Sequence, residues 1–147
     1  MSNEGGIHLD TSLGYLVKEA SNTLRAAMEE VLRPLGMTIT HYSCLELLAQ
    51  RPGLSNSDLA RGAFVTRQSM NVLLKALESE GYVTRPAQPP VGRVLPTRLT
   101  PLGEERLAQA STAVRAVEQR MLSDLSDDDQ DAALRILRSM VRSLQEV

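Results

Sequence analysis

The 147 residues include no tryptophan, one phenylalanine, one cysteine and two histidines. The single cysteine, Cys44, excludes an internal disulfide and a cluster of cysteine metal ligands. His8 and His41 sit in different segments, so no metal and no cofactor is expected. The aromatics are Phe64, Tyr15, Tyr42 and Tyr82, too few for a single-stranded nucleic-acid platform built on stacking. No apolar run approaches the roughly 18 residues of a membrane span. Met1–Gly6 lacks the basic start and apolar centre of a secretory leader, which predicts a cytoplasmic protein. There is no glycine-rich phosphate loop and no Ser/His/Asp spacing. His41 and Cys44 lie three apart on one helix face, but nothing beside them completes a catalytic dyad, and no enzyme is expected.

What is present is charge, unevenly placed. The net charge is −2. Between Ser55 and Arg98 stand six basic residues (Arg61, Arg67, Lys75, Arg85, Arg93, Arg98) against three acidic ones, a net of +3, which leaves −5 on the remainder. A local cationic face can meet phosphates while acidic flanks keep the chain soluble.

Apolar periodicity predicts the elements. Leu13, Leu16, Val17, Ala20, Leu24, Ala27, Met28 and Val31 recur at three and four residues, an amphipathic helix capped by Asp10 or Thr11 and ended by Pro34 and Gly36. Thr40 opens a second helix with Cys44, Leu45, Leu47 and Leu48 inward, stopped at Pro52-Gly53. Ser55 and Asp58 form a box-like cap for a short third helix, Asn56 to Gly62. Thr66 caps a fourth, which runs to about Glu80 and is closed by Gly81. Tyr82–Arg85 and Arg93–Leu99 read as antiparallel strands around a loop containing Pro89-Pro90, with Pro96 placing the second strand at an edge. Thr100-Pro101 starts a helix that reaches about Ser123. Ser126 and the three aspartates after it open the last helix, whose stripe is Leu134, Leu137, Val141 and Leu144.

Short helix, tight turn, helix, strand, loop, strand is a helix-turn-helix with a wing. The fold class is therefore mainly α with a small β wing. Residues 1–36 and 101–147 supply flanking helices, and residues 37–100 the winged lobe. On the fourth helix Met70, Leu73, Leu74 and Leu77 face inward. Arg67, Gln68, Asn71 and Lys75 share the other side, and Thr66 and Ser69 join them at the N-terminal end. Such donors suit base edges and phosphates: Arg pairs with guanine, Gln or Asn with adenine. Ser55, Ser57 and Arg61 can hold the DNA backbone from the third helix, with Arg85 and Arg93 in the wing.

The run LSNSDLARGAFVTRQSMNVLLKALESEGYVTRP followed by GRVLPTRLTPLG resembles the multiple-antibiotic-resistance regulator (MarR) family. The resemblance rests on Leu77-Glu78, Gly81-Tyr82-Val83, Arg85 and the box Leu99-Thr100-Pro101-Leu102-Gly103, and on the order of helices along nearly the whole chain. It implies a two-fold homodimer held by the terminal helices. Recognition helices would enter successive major grooves of a near-palindromic duplex operator, with wings in the minor grooves. Arg93 matches the family's wing-tip arginine, but Val91 stands where an acidic residue usually precedes it. The resemblance also implies a repressor released by a small amphipathic or phenolic effector, bound between the dimer helices and the lobe. Tyr15, His41 and Tyr42 are the polar candidates there. Two other readings stay open: a redox-sensing regulator using Cys44, although a buried thiol is inert, and a winged-helix protein–protein module without DNA binding.

Overall fold

The computed structural model describes residues 5–85 and 97–146. Among the described residues there are six α-helices, α1 (Leu13–Leu32), α2 (Ile39–Gln50), α3 (Asn56–Gly62), α4 (Arg67–Ser79), α5 (Pro101–Met121) and α6 (Asp127–Gln145). Between α4 and α5 lies an antiparallel pair, β1 (Val83–Thr84) and β2 (Arg98–Leu99), in the register Val83 to Leu99 and Thr84 to Arg98. This is the mainly helical, winged architecture that the periodicity predicts. The expected wing features Pro89-Pro90, Val91, Arg93 and Pro96 lie outside the described residues. None of the described helices is long and apolar enough to cross a membrane.

Each α-helix begins on a hydroxyl side chain that accepts a backbone N–H, satisfying one of the donors a helix start leaves open. The Ser55, Thr66, Thr100 and Ser126 caps stand where the sequence places them. Two caps move. Asp10 and Thr11 belong to a 3-10 turn, Leu9–Thr11, so the cap of α1 falls to Ser12, which accepts from the Tyr15 N–H. Thr40 lies inside the first turn of α2, whose cap is Thr38. The His41 N–H donates to Thr38 Oγ1 at 3.1 Å and the Thr38 N–H donates to His41 Nδ1 at 3.0 Å, a reciprocal box. At the other end of α1, Gly36 takes a left-handed φ of 70° that releases the chain toward α2.

One core fills the lobe. Leu45, Leu48 and Cys44 of α2, Leu59 of α3, Met70, Leu74 and Leu77 of α4 and Val83 of β1 meet Leu107 and Ala110 of α5, with Leu32 closing the end of α1. Burying each such leucine contributes about 1.5–3 kcal/mol. Leu47, expected inward, is half-buried.

The Leu99–Gly103 box joins the lobe to α5. The Thr100 N–H donates to the Tyr82 carbonyl at 3.1 Å, and its hydroxyl donates to the Gly81 carbonyl at 2.5 Å while accepting the Gly103 N–H at 3.0 Å. A Cβ on Gly103 would stand 2.0 Å from the Tyr82 carbonyl oxygen. Only glycine lets α5 approach the start of the wing this closely.

The outer helices are less enclosed. α6 has no buried residue, and Leu134, Leu137, Val141 and Leu144 are all exposed. Ile7, Leu9, Leu13, Leu16 and Val17 near the head of α1 are exposed as well.

Candidate nucleic-acid interface

The helix α4 is seated by four side chains, Met70, Leu73, Leu74 and Leu77, that recur at helical spacing and are buried. Fixing that face fixes the opposite one. Arg67, Gln68, Ser69, Asn71 and Lys75 are all exposed there. Thr66 caps the helix, its Oγ1 accepting the Ser69 N–H at 3.0 Å and donating to Ser69 Oγ at 3.0 Å. Arg67 and Gln68 occupy the first turn of α4, where a helix leaves backbone N–H groups open and carries the positive end of its dipole.

The candidate residues divide by what already holds them. Asn56 donates to the Asn71 side chain, tying α3 to α4. Arg61 pairs with Asp58, whose carboxyl is held below its usual range by hydrogen bonds from Ser55 and by the Arg61 charge. Ser55 caps α3 and accepts the Asp58 N–H. Arg85 is turned inward, with its side chain only 17% exposed, and pairs with Glu78 at 3.6 Å. It clips β1 to α4. Among the described residues, Ser57, Arg67, Gln68 and Lys75 have no such side-chain partner. Arg93 lies outside the described residues.

Two exposed apolar side chains beside this face escaped the sequence reading. Val72 is 66% exposed, one turn after Gln68 and three residues before Lys75, in the middle of the polar side of α4. Its signal was present: it falls out of phase with the buried stripe. Phe64, in the turn between α3 and α4, is 94% exposed and has φ of +60°. A left-handed backbone is a glycine position, and a bulky residue there is an outlier.

The polar trio expected for an effector differs in what surrounds each side chain. Tyr15 is exposed on α1. The His41 ring is engaged by the α2 cap, and burial lowers its pKa below the usual value. Tyr42 is half-buried against Glu46 and Ser111, and burial first, then the Glu46 hydrogen bond, push its pKa up to about 12. A cleft of about 500 Å³ does lie at the joint between α1, the head of α2 and the turn before α4. It is lined by Arg25, Asn22, Thr40 and Ser43 with Leu24, Met28, Ile39 and Phe64, and by none of that trio.

Cys44 is fully buried, with its Sγ 3.8 Å from the Met70 sulfur. Burial raises its pKa to about 12, so the thiolate that oxidants attack does not form near neutrality. Among the described residues no group of three or more His, Cys, Asp or Glu side chains is placed to hold a metal.

Comparison with known proteins places this geometry. The family model described as MarR family matches residues 35–94. The HTH-type transcriptional repressor Rv2887 of Mycobacterium tuberculosis is 41% identical over 135 residues, 92% of this chain and 97% of that protein. The crystal structure of Rv2887 with salicylic acid superposes with a TM-score of 0.73, 41% identity, and coverage of 89% of this chain and 97% of that one. Its structure with DNA gives a TM-score of 0.74, 39% identity, and coverage of 89% and 98%. The transcriptional repressor CouR, bound to a 23-mer DNA duplex, is 28% identical, with a TM-score of 0.81 and coverage of 96% and 99%.

Proposed function

The chain belongs to the MarR family, and from that premise we propose that it is a ligand-responsive, homodimeric repressor of transcription that reads duplex DNA with α4. The observation that carries the reading is the row of free donors on α4. Arg67, Gln68 and Lys75 are exposed, aligned and without side-chain partners among the described residues, on a helix that four buried residues hold in place. Relatives that are repressors, one of them solved with DNA and with salicylic acid, support it. The relatives are regulators rather than enzymes.

In this reading Arg67 and Gln68, at the N-terminal end of α4, reach base edges, and Lys75 meets phosphate. Val72 presents its methyls between them, a surface that suits the thymine methyl group. Ser55, Ser57, Arg61, Thr66, Ser69 and Asn71 set the backbone contacts and the pose of α3 against α4. Arg85 acts through its clip on Glu78, and Arg93 reaches the adjacent groove from the wing. The exposed apolar residues at the head of α1 and along α6 meet their counterparts in a second copy, which fixes the separation of the two α4 helices. An aryl carboxylate such as salicylate enters the cleft between α1 and α2, with Arg25 for its charge. It weakens DNA binding because the two α4 helices must reach their grooves together, and an occupant that changes their separation favours the released state.

Selection of bound fragments from random duplex DNA tests the reading. The expected product is a near-palindrome with half-sites about 10 bp apart. Arg67→Ala should cost about 1–3 kcal/mol and relax preference at one base pair per half-site. A loss equal on all sequences would make Arg67 a phosphate contact. Salicylate should lower operator affinity about 5–150-fold. The redox alternative is disfavoured by the buried, protonated thiol, and Cys44→Ser should leave release by salicylate intact.

A further inference from the structure

A second cleft lies between the C-terminal half of α2, β2 and the first turns of α5. Its volume is about 640 Å³, within the range of small-molecule sites, roughly 300–1,000 Å³. Leu48 of α2, Leu99 of β2 and Leu107 of α5 supply apolar walls. Thr97, where the chain enters β2, supplies something rarer. It is 1% exposed, and among the described residues its Oγ1 has no hydrogen-bond partner. A buried hydroxyl without a partner is costly, because it has left water and gained nothing in return. Side chains alternate along a strand, so Thr97 and Leu99 share one face of β2, and both line the cleft. At the mouth, Arg98 is exposed and has no carboxylate partner among the described residues.

We propose that this cleft is a second ligand site, separate from the one between α1 and α2, for a compact molecule with an apolar ring, a hydroxyl or carbonyl for Thr97 and a carboxylate for Arg98. The Thr97 hydroxyl gains its missing partner from the ligand, and the leucines exclude water from the ring. Glu104, on the α5 side of the same mouth, repels a second anionic group and so limits the ligand to one carboxylate. The occupant rests against the strand that returns from the wing, so it touches a part of the DNA-reading lobe that the α1–α2 cleft does not reach.

Titration of the isotope-labelled full-length protein with 4-hydroxyphenylacetate, without DNA, tests the site by amide chemical shifts. Saturable shifts at Thr97, Leu99, Leu107 and Ala108 are expected. Thr97→Val should weaken binding at least about fivefold and, by removing the unsatisfied hydroxyl, raise the melting temperature of the unliganded protein. Ala108→Leu, an exposed position on the cleft wall, should block binding with the core unchanged. Shifts confined to Arg25, Thr40 and Ser43, or no shifts at all, would overturn the proposal and leave the first cleft untouched. A lower melting temperature for Thr97→Val would overturn it too, because the hydroxyl would then already have a partner.

Discussion

The winged lobe and the terminal helices are written in the same periodicity and end in opposite states. In α4, Met70, Leu73, Leu74 and Leu77 recur at three and four residues and are buried. In α6, Leu134, Leu137, Val141 and Leu144 recur in the same way, and their exposure runs from 49% to 88%. The difference lies in what each stripe has to pack on. α4 finds α2, α3 and β1 within its own chain, whereas no residue of α6 is fully buried against its own chain. An amphipathic stripe establishes that a helix has a partner; it does not say that the partner is in the same molecule. The lobe closes on its own core, whereas the outer helices leave an apolar surface that, in the proposed homodimer, a second copy covers.

Breaking the open surface should have the largest effect. Leu134→Glu with Leu137→Glu places two carboxylates in the stripe of α6. Sedimentation velocity should show monomer, and operator affinity should fall by about 10²–10⁴-fold as the two half-sites cease to be bound together. An intact dimer with unchanged affinity would move the interface elsewhere.

Truncation at matched stripe positions sharpens the same contrast. Leu74→Ala removes a fully buried side chain and should cost about 2–5 kcal/mol in urea unfolding. Leu144→Ala, at a position 88% exposed within one chain, should cost less than Leu74→Ala, and its cost should depend on protein concentration to the extent that a second copy covers the end of α6. Equal losses would mean that the end of α6 is as enclosed in solution as the lobe.

How much of this was legible in the sequence follows from how local each feature is. The Ser55 box, the Thr66 and Thr100 caps and the α4 stripe depend on residues within one or two turns, and spacing alone located them. Where several hydroxyls compete, as at Thr11 and Ser12 or Thr38 and Thr40, the winner depends on how the preceding chain folds: the cap of α1 is Ser12 rather than the expected Asp10 or Thr11, and α2 begins one residue before the expected Thr40. Engagement through space was not legible. Nothing in the order of residues shows that Arg85 turns in to Glu78, that Asn71 accepts from Asn56, or that Tyr15, His41 and Tyr42 stay out of the cleft between α1 and α2. The clefts were invisible for the same reason, since each is walled by three separated segments.

Phe64 offers a substitution that should stabilise the lobe without touching its core. Its left-handed backbone costs an ordinary residue about 1–2 kcal/mol. Glycine removes that strain but adds about 0.5–1 kcal/mol of freedom to the unfolded chain. The side chain is 94% exposed, so almost no burial is lost. Phe64→Gly should therefore raise stability by a few tenths of a kcal/mol to about 1 kcal/mol, a gain that a rise in the urea midpoint would register. A fall would show that the ring is covered in the assembled protein, which would place Phe64 with the open surfaces rather than with the closed lobe.

The smallest effect concerns the seam between the two regions, where α2 begins after α1. His41 Nδ1 accepts the Thr38 N–H, which requires the neutral ring. Burial lowers the His41 pKa below the ordinary value of about 6.5, and the Glu80 carboxylate only partly opposes this. The unfolded chain thus takes up the proton more readily than the folded one. The resulting stability is fully present above the unfolded value and is lost as pH falls through it toward the lower folded one. The melting temperature should decline between about pH 7.5 and pH 5, and amide exchange at the head of α2 should quicken over the same range. His41→Gln keeps an acceptor at the capping-box position but removes the titration. Its melting temperature should decline less. Equal declines in both proteins would assign the pH dependence to other groups and leave the α2 cap as a fixed joint between α1 and the lobe.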